Sequence, residues 1–160
     1  MKTKGFIILD DVDWRILEIL QDNGKETYTE IGRQLHLAHS TIYDRIKRME
    51  SKGIIKKYTA MIDLEKCGVK HLVAILTVYT DPKKSEKIAE HLSKHKHVPE
   101  VFFSLSEELL IIAKVIAEDR EKLHSFIAKF VAPIPGVLRV RTAIITKKYK
   151  EENSHFIKRI

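Results

Sequence analysis

At 160 residues with 44% apolar side chains, the chain can fill one medium core or two small ones, each near the size at which a domain needs a partner for stability. A single cysteine, Cys67, excludes an intramolecular disulfide framework, and Asp10 and Asp11 cut the Phe6–Leu9 run well short of a signal-peptide core or membrane span, so a cytoplasmic protein with no membrane partner is expected. The net charge of +7 suits a polyanionic partner, and it is unevenly placed: between Ser40 and Ala60, six lysines and arginines stand against Asp44 and Glu50 alone.

In chain order, Asp10 is a candidate N-cap for a first helix whose Val12, Ile16, Ile19 and Leu20 recur at helical spacing until Asn23-Gly24. Trp14 on that helix is expected to pack. Thr27 or Thr29 caps a short second helix carrying Ile31 and Leu35, with Leu37 in the turn that follows. Gly32 within it predicts a close approach by a neighbouring helix, since glycine weakens a helix interior. A third helix, from about Ser40 to Gly53, turns Ile42, Ile46 and Met49 inward and Tyr43, Asp44, Lys47 and Arg48 outward.

Tyr28 to Lys47 therefore has the spacing of a helix-turn-helix, in which the second helix reads the DNA major groove. His39, Ser40, Thr41 and Tyr43, near the start of that helix, are candidates for base or sugar contact, and Asp44 belongs to the same outward set. Arg45, Lys47 and Arg48 are candidates for phosphate contact, with Arg45 nearest the core side. The competing reading of these residues is capping, packing and solubility of a charged helix face.

Residues 54–62 read as a strand or extended connector, and 63–70, with Gly68, as a linker. The period then changes. Strands are expected over 71–80, 98–105, 109–116 and 137–147, with a helix after Asp81-Pro82 and another from Glu118-Asp119 carrying Leu123, Phe126, Ile127, Phe130 and Val131. The order βαββαβ is the ferredoxin-like plan, an α+β fold with both helices on one sheet face. Because the first and third strands are apolar on both faces, the open face needs a cover, and a second copy of the chain is the economical one. His91, His95 and His97 read as solvated rather than as metal ligands, and Cys67 as inert.

The run from Leu37 to Glu50 (LAHSTIYDRIKRME), with Leu9 to Asp13, Gly53-Ile54-Ile55, Tyr58-Thr59-Ala60 and Ile134 to Val137, resembles the Lrp/AsnC, or feast/famine, transcription regulators over nearly the whole chain. The resemblance implies a DNA-binding domain over 1–53, a hinge strand and linker over 54–70, and over 71–160 a domain that dimerises, or builds octamers, and often binds an amino acid. It implies no cofactor, metal or catalytic residue. Two departures concern the turn: His36 stands where glycine is usual, and Ala38 stands at the capping position, which leaves Ser40 as the expected cap.

A third departure concerns the effector. Where the family has a glycine, an acidic residue, an aromatic residue and Asp, this chain has Leu105, Ser106, Glu107 and Glu108. A side chain at Leu105 blocks close approach to a ligand carboxylate, and two acids repel it, so the loop is expected to take either no small molecule or a cationic one held by Ser106 and Glu108. Proteins resembling the family also include tetrapyrrole decarboxylases whose helix-turn-helix no longer reads DNA, and a ligand-sensing module without DNA binding is a third reading; a bound tetrapyrrole would colour the protein, and the basic third helix argues against both.

Overall fold

The computed structural model describes residues 8–64, 66–105 and 109–150, which form two compact units dividing between Met61 and Ile62. In the first, helices α1 (Asp11–Asp22), α2 (Tyr28–Leu35) and α3 (His39–Ser51) enclose a core of Ile16, Ile31, Ile42, Ile46 and Met49, all fully buried. These are the residues the helical spacing turns inward; Leu35 and Leu37 pack at the margin. Gly32 is a close-approach site, but what approaches is the following turn: a Cβ there would lie 2.6 Å from the backbone oxygen of Leu37. That turn passes through His36 in the left-handed region (φ 55°), a conformation histidine adopts with less strain than most residues.

Residues 54–62 are not a strand; no other described segment pairs with them, and a strand requires a partner. The second unit is an antiparallel sheet of β1 (Leu72–Thr80), β2 (Glu100–Leu105), β3 (Leu109–Ala117) and β4 (Val137–Ile145) in the order β2-β3-β1-β4. Helices α4 (Ser85–Ser93) and α5 (Arg120–Phe126) cross one face. α4 begins three residues later than the Asp81-Pro82 signal because Asp81 first makes a turn, accepting hydrogen bonds from Lys83, Lys84 and Ser85. Ser85 Oγ donates to Asp81 O at 3.0 Å, which leaves the buried Thr80 hydroxyl to donate to Ser85 Oγ at 2.7 Å. After Phe126 the last turn widens to a π-helix, Ile127–Val131, closed by Ala132 N–H to Ile127 O at 2.8 Å.

Alternation along the strands sets the two faces. Ala74, Leu76 and Val78 of β1 and Ile111, Ala113 and Val115 of β3 are buried beneath the helices with Ile88, Leu92, Leu123 and Val131. The register places Val73 beside Ile116 and Ile145, and Thr77 beside Ile112, which in turn faces Phe102, all on the opposite face. Neither helix of this unit covers that face: Phe102 is 55% exposed and Ile145 39%. Charges interrupt that face: Lys114 of the interior strand β3 stands beside Ile75 with its Nζ 2.8 Å from Glu100, and the Arg139 guanidinium of the edge strand β4 lies 4.0 Å from the Tyr79 ring centre.

Candidate nucleic-acid interface

α2, the turn and α3 set out a helix-turn-helix from the backbone upward. Thr27 caps α2, its hydroxyl accepting from Glu30 N–H at 3.1 Å, and the left-handed His36 ends it by returning its own N–H to Gly32 O. The chain then turns into α3 at Ala38, whose extended backbone (φ −64°, ψ 146°) fills the N-cap position and accepts the Ile42 N–H at 3.2 Å. Ser40 does not cap the helix. It is the second residue within it, because Ala38 already holds the N-cap conformation. Alanine supplies no side-chain acceptor, so the first-turn amides of α3 receive no side-chain cap from the N-cap residue.

The start of α3 presents His39, Ser40, Tyr43 and Asp44 to solvent, with Thr41 half-buried. The rings of His39 and Tyr43 each meet Tyr28 edge-on with centres 5.7 Å apart, so α2 fixes the orientation of both. One turn on, Lys47 Nζ lies 5.8 Å from the Tyr43 ring centre and 2.8 Å from Glu50. Its hydrogen bond to Glu50 raises the Lys47 pKa and lowers that of Glu50. Tyr58 donates to the other Glu50 oxygen at 3.0 Å; desolvation, with that hydrogen bond, pushes the phenol up to about 12.

Arg45 and Arg48 are placed differently from Lys47. Arg45 Nη1 donates to Asp10 at 2.7 and 2.8 Å and to Asp13 Oδ1 at 2.9 Å, and its side chain is 25% exposed. Arg48 Nη2 reaches Asp13 Oδ2 at 2.5 Å, with 47% of the side chain exposed. Asp13 itself is fully buried and closes a capping box on α1: Asp13 N–H donates to Asp10, and Asp10 N–H to Asp13. The hydrogen bond from Arg45 is the main cause holding the Asp10 carboxyl below its ordinary pKa. Sequence reasoning found the Asp10 cap and missed Asp13. The spacing Asp10-x-x-Asp13 ahead of an apolar run was the available signal, but its reach to α3, 32 residues on, has no local signature.

The second candidate group is not gathered in the same way. Leu105 ends β2, paired with Leu109 across the strand turn, and Ser106, Glu107 and Glu108 lie outside the described residues. His91 is exposed, as the solvated reading expects, though its ring stacks on Phe130 at 4.9 Å; His95 departs from that reading, half-buried with its ring on Phe126 and Phe130 at 4.8 and 4.3 Å. Burial there lowers the His95 pKa, helped by His97, Lys96 and His91. Cys67 is exposed in the turn before β1.

Residues 9–50 match the family model of the AsnC-type helix-turn-helix domain, and residues 73–155 match that of the Lrp/AsnC ligand binding domain. Over 144 residues the chain is 38% identical to the HTH-type transcriptional regulator FL11 of Pyrococcus furiosus, covering 90% of this chain and 93% of that protein. It is 37% identical to the HTH-type transcriptional regulator LrpA of Pyrococcus horikoshii, over 89% of this chain and all of the relative. Among solved structures, a transcriptional regulator of Neisseria meningitidis in complex with L-Met superposes with a TM-score of 0.80 at 25% identity, over 92% of this chain and 96% of that one.

Proposed function

The chain belongs to the Lrp/AsnC family of transcription regulators, and on that footing we propose that it binds a two-fold-related DNA site as a dimer or higher oligomer, reading bases through the start of α3. The observation that carries this reading is the outward face of α3. His39, Ser40, Tyr43 and Asp44 stand exposed on its first turns, oriented by Tyr28 and beside amides left without a side-chain cap. Ser40 and His39 supply donors and acceptors for base edges, Asp44 an acceptor for a cytosine amine, and the half-buried Thr41 reaches a sugar or phosphate more readily than a base.

The basic residues divide by their tethers. Lys47 is exposed and held only by the surface carboxylate of Glu50, a pairing worth little in water, so a DNA phosphate can replace it. Arg48 keeps donors free of Asp13 and can contact a phosphate while tied at one nitrogen. Arg45, bound by two carboxylates, is better suited to lock α3 onto α1 than to touch DNA.

The uncovered apolar sheet face supports pairing of two C-terminal domains, Val73, Ile75, Ile112 and Ile116 against their counterparts. A two-fold dimer requires a roughly palindromic operator with half-sites about one helical turn, or a multiple, apart. At the β2–β3 loop, Leu105 and the two glutamates favour no ligand, or a cationic one, over a neutral amino acid.

Binding to a fragment carrying the gene's own promoter, followed by mobility shift across a salt series, tests the interface. Lys47→Ala is expected to weaken all sequences alike and to lower the salt slope by about one. Tyr43→Ala is expected to change base preference. An unchanged salt slope in Lys47→Ala would remove Lys47 from the phosphate contacts.

A further inference from the structure

Between α4 and the π-helical turn runs a groove of about 550 Å³, within the range of small-molecule sites. Its rim is cationic on both sides, with Lys84 and Lys87 beside His91 on one and Lys129 on the other, while Phe130 and Ile134 form its apolar floor. No carboxylate lines it. Among the described residues none of these three lysines has an ion-pair partner, whereas Lys47, Lys66 and Lys114 elsewhere are each paired.

Two features hold the groove in shape. Gly136, at φ 105°, brings the chain against the stem of Lys84 so closely that a Cβ would lie 2.7 Å from Lys84 Cδ, and its carbonyl accepts the Asp81 N–H at 2.8 Å. The widened turn, of a kind frequent at functional sites, carries both Lys129 and Phe130, and His91 stacks on the Phe130 ring at 18° between planes. Three unpaired ammoniums over an apolar floor attract a ligand that carries a negative group on a compact apolar body.

We propose that this groove is a binding site for an organic anion of that kind, an aryl or branched carboxylate, separate from the β2–β3 loop. Its use as an effector site rests on the regulator reading; its binding chemistry does not. The volume and the convergence of cations from both sides favour a small anion over an acidic peptide.

Calorimetry on the full chain tests it with phenylacetate and its neutral counterpart phenylacetamide. Phenylacetate is expected to bind saturably and about tenfold more tightly than the amide, and the double variant Lys87→Gln/Lys129→Gln to remove that difference, at about threefold per lysine. Phe130→Ala is expected to weaken both compounds alike. Equal affinity for acid and amide, no binding of phenylacetate at millimolar concentration, or binding of a Glu/Leu peptide in its place would each overturn the proposal. Promoter-fragment binding by the ligand-free protein keeps the two readings apart, since its absence in a sample that still binds phenylacetate refutes the regulator reading and leaves the groove standing.

Discussion

Removing the Asp13 carboxylate is the most informative single perturbation of the N-terminal domain, because one buried group joins α1 to two arginines of α3. In Asp13→Ala, Arg48 loses the partner 2.5 Å away but rehydrates, being 47% exposed, so its share is about 1 kcal/mol rather than the ~3 kcal/mol of a fully buried pair. Arg45 keeps Asp10 and loses one contact, and the capping box loses the return bond from Asp10 N–H, together about 1 kcal/mol more. Both shares are net of the desolvation cost that disappears with the buried carboxylate, and the total is about 2 kcal/mol. For a three-helix domain that is a drop of about 8–16 °C in its melting temperature. Trp14, the chain's one tryptophan, follows Asp13 on α1, so its fluorescence reports this domain specifically. A fall of less than about 2 °C would refute the network's role, and a double-mutant cycle with Arg48→Gln should return a coupling of about 1 kcal/mol.

Gly32→Ala, which would gain helix propensity elsewhere, should cost about 1–3 kcal/mol here because the added Cβ meets a backbone oxygen that cannot swing away; urea unfolding read by Trp14 checks it. His95 has a folded-state pKa below its ordinary value, so the unfolded chain binds its proton more tightly. Its contribution is complete above about pH 6.5 and is lost as pH falls through the folded pKa, so in calorimetric melts between pH 7 and 5 the wild type should lose more stability than His95→Phe as the pH falls. Asp10, held low mainly by its Arg45 hydrogen bond, contributes above its ordinary pKa near 4 and loses that contribution in stronger acid; acid titration of Trp14 fluorescence in Arg45→Gln should show the loss moved to higher pH. Thermal-shift screening of neutral amino acids, leucine and glutamine included, should give no stabilisation, and tight binding of either at the β2–β3 loop would defeat the argument from Leu105.

The inward positions of all three N-terminal helices were legible because a 3.6-residue period is a local property of the sequence, and Ile16, Ile31, Ile42, Ile46 and Met49 obey it. The strands and the order of elements were legible for the same reason, as was the apolar second face of the sheet, visible in Val73 and Ile75 alternating with Ala74 and Leu76. What escaped was long-range. Asp13 looks like an ordinary first-turn acid until α3 places two arginines on it; the helical period set Arg45 toward the core side, but nothing local separates Arg48 from Lys47. The cap of α3 was misplaced because propensity favours serine over alanine, while the turn through His36 had already fixed where the helix begins. His95 was set aside as solvated because its aromatic partners, Phe126 and Phe130, lie more than thirty residues downstream on another helix.

The central claim is that α3 reads DNA sequence within a two-fold assembly, and selection of bound duplexes from a random-sequence library by the full chain, at about 150 mM salt, tests it most directly. A palindromic motif is predicted, its half-sites about one helical turn or a multiple apart, with base preferences that shift in Tyr43→Ala and persist in Lys47→Ala. Recovery of unenriched, random duplexes by a protein that is folded and soluble would contradict the account.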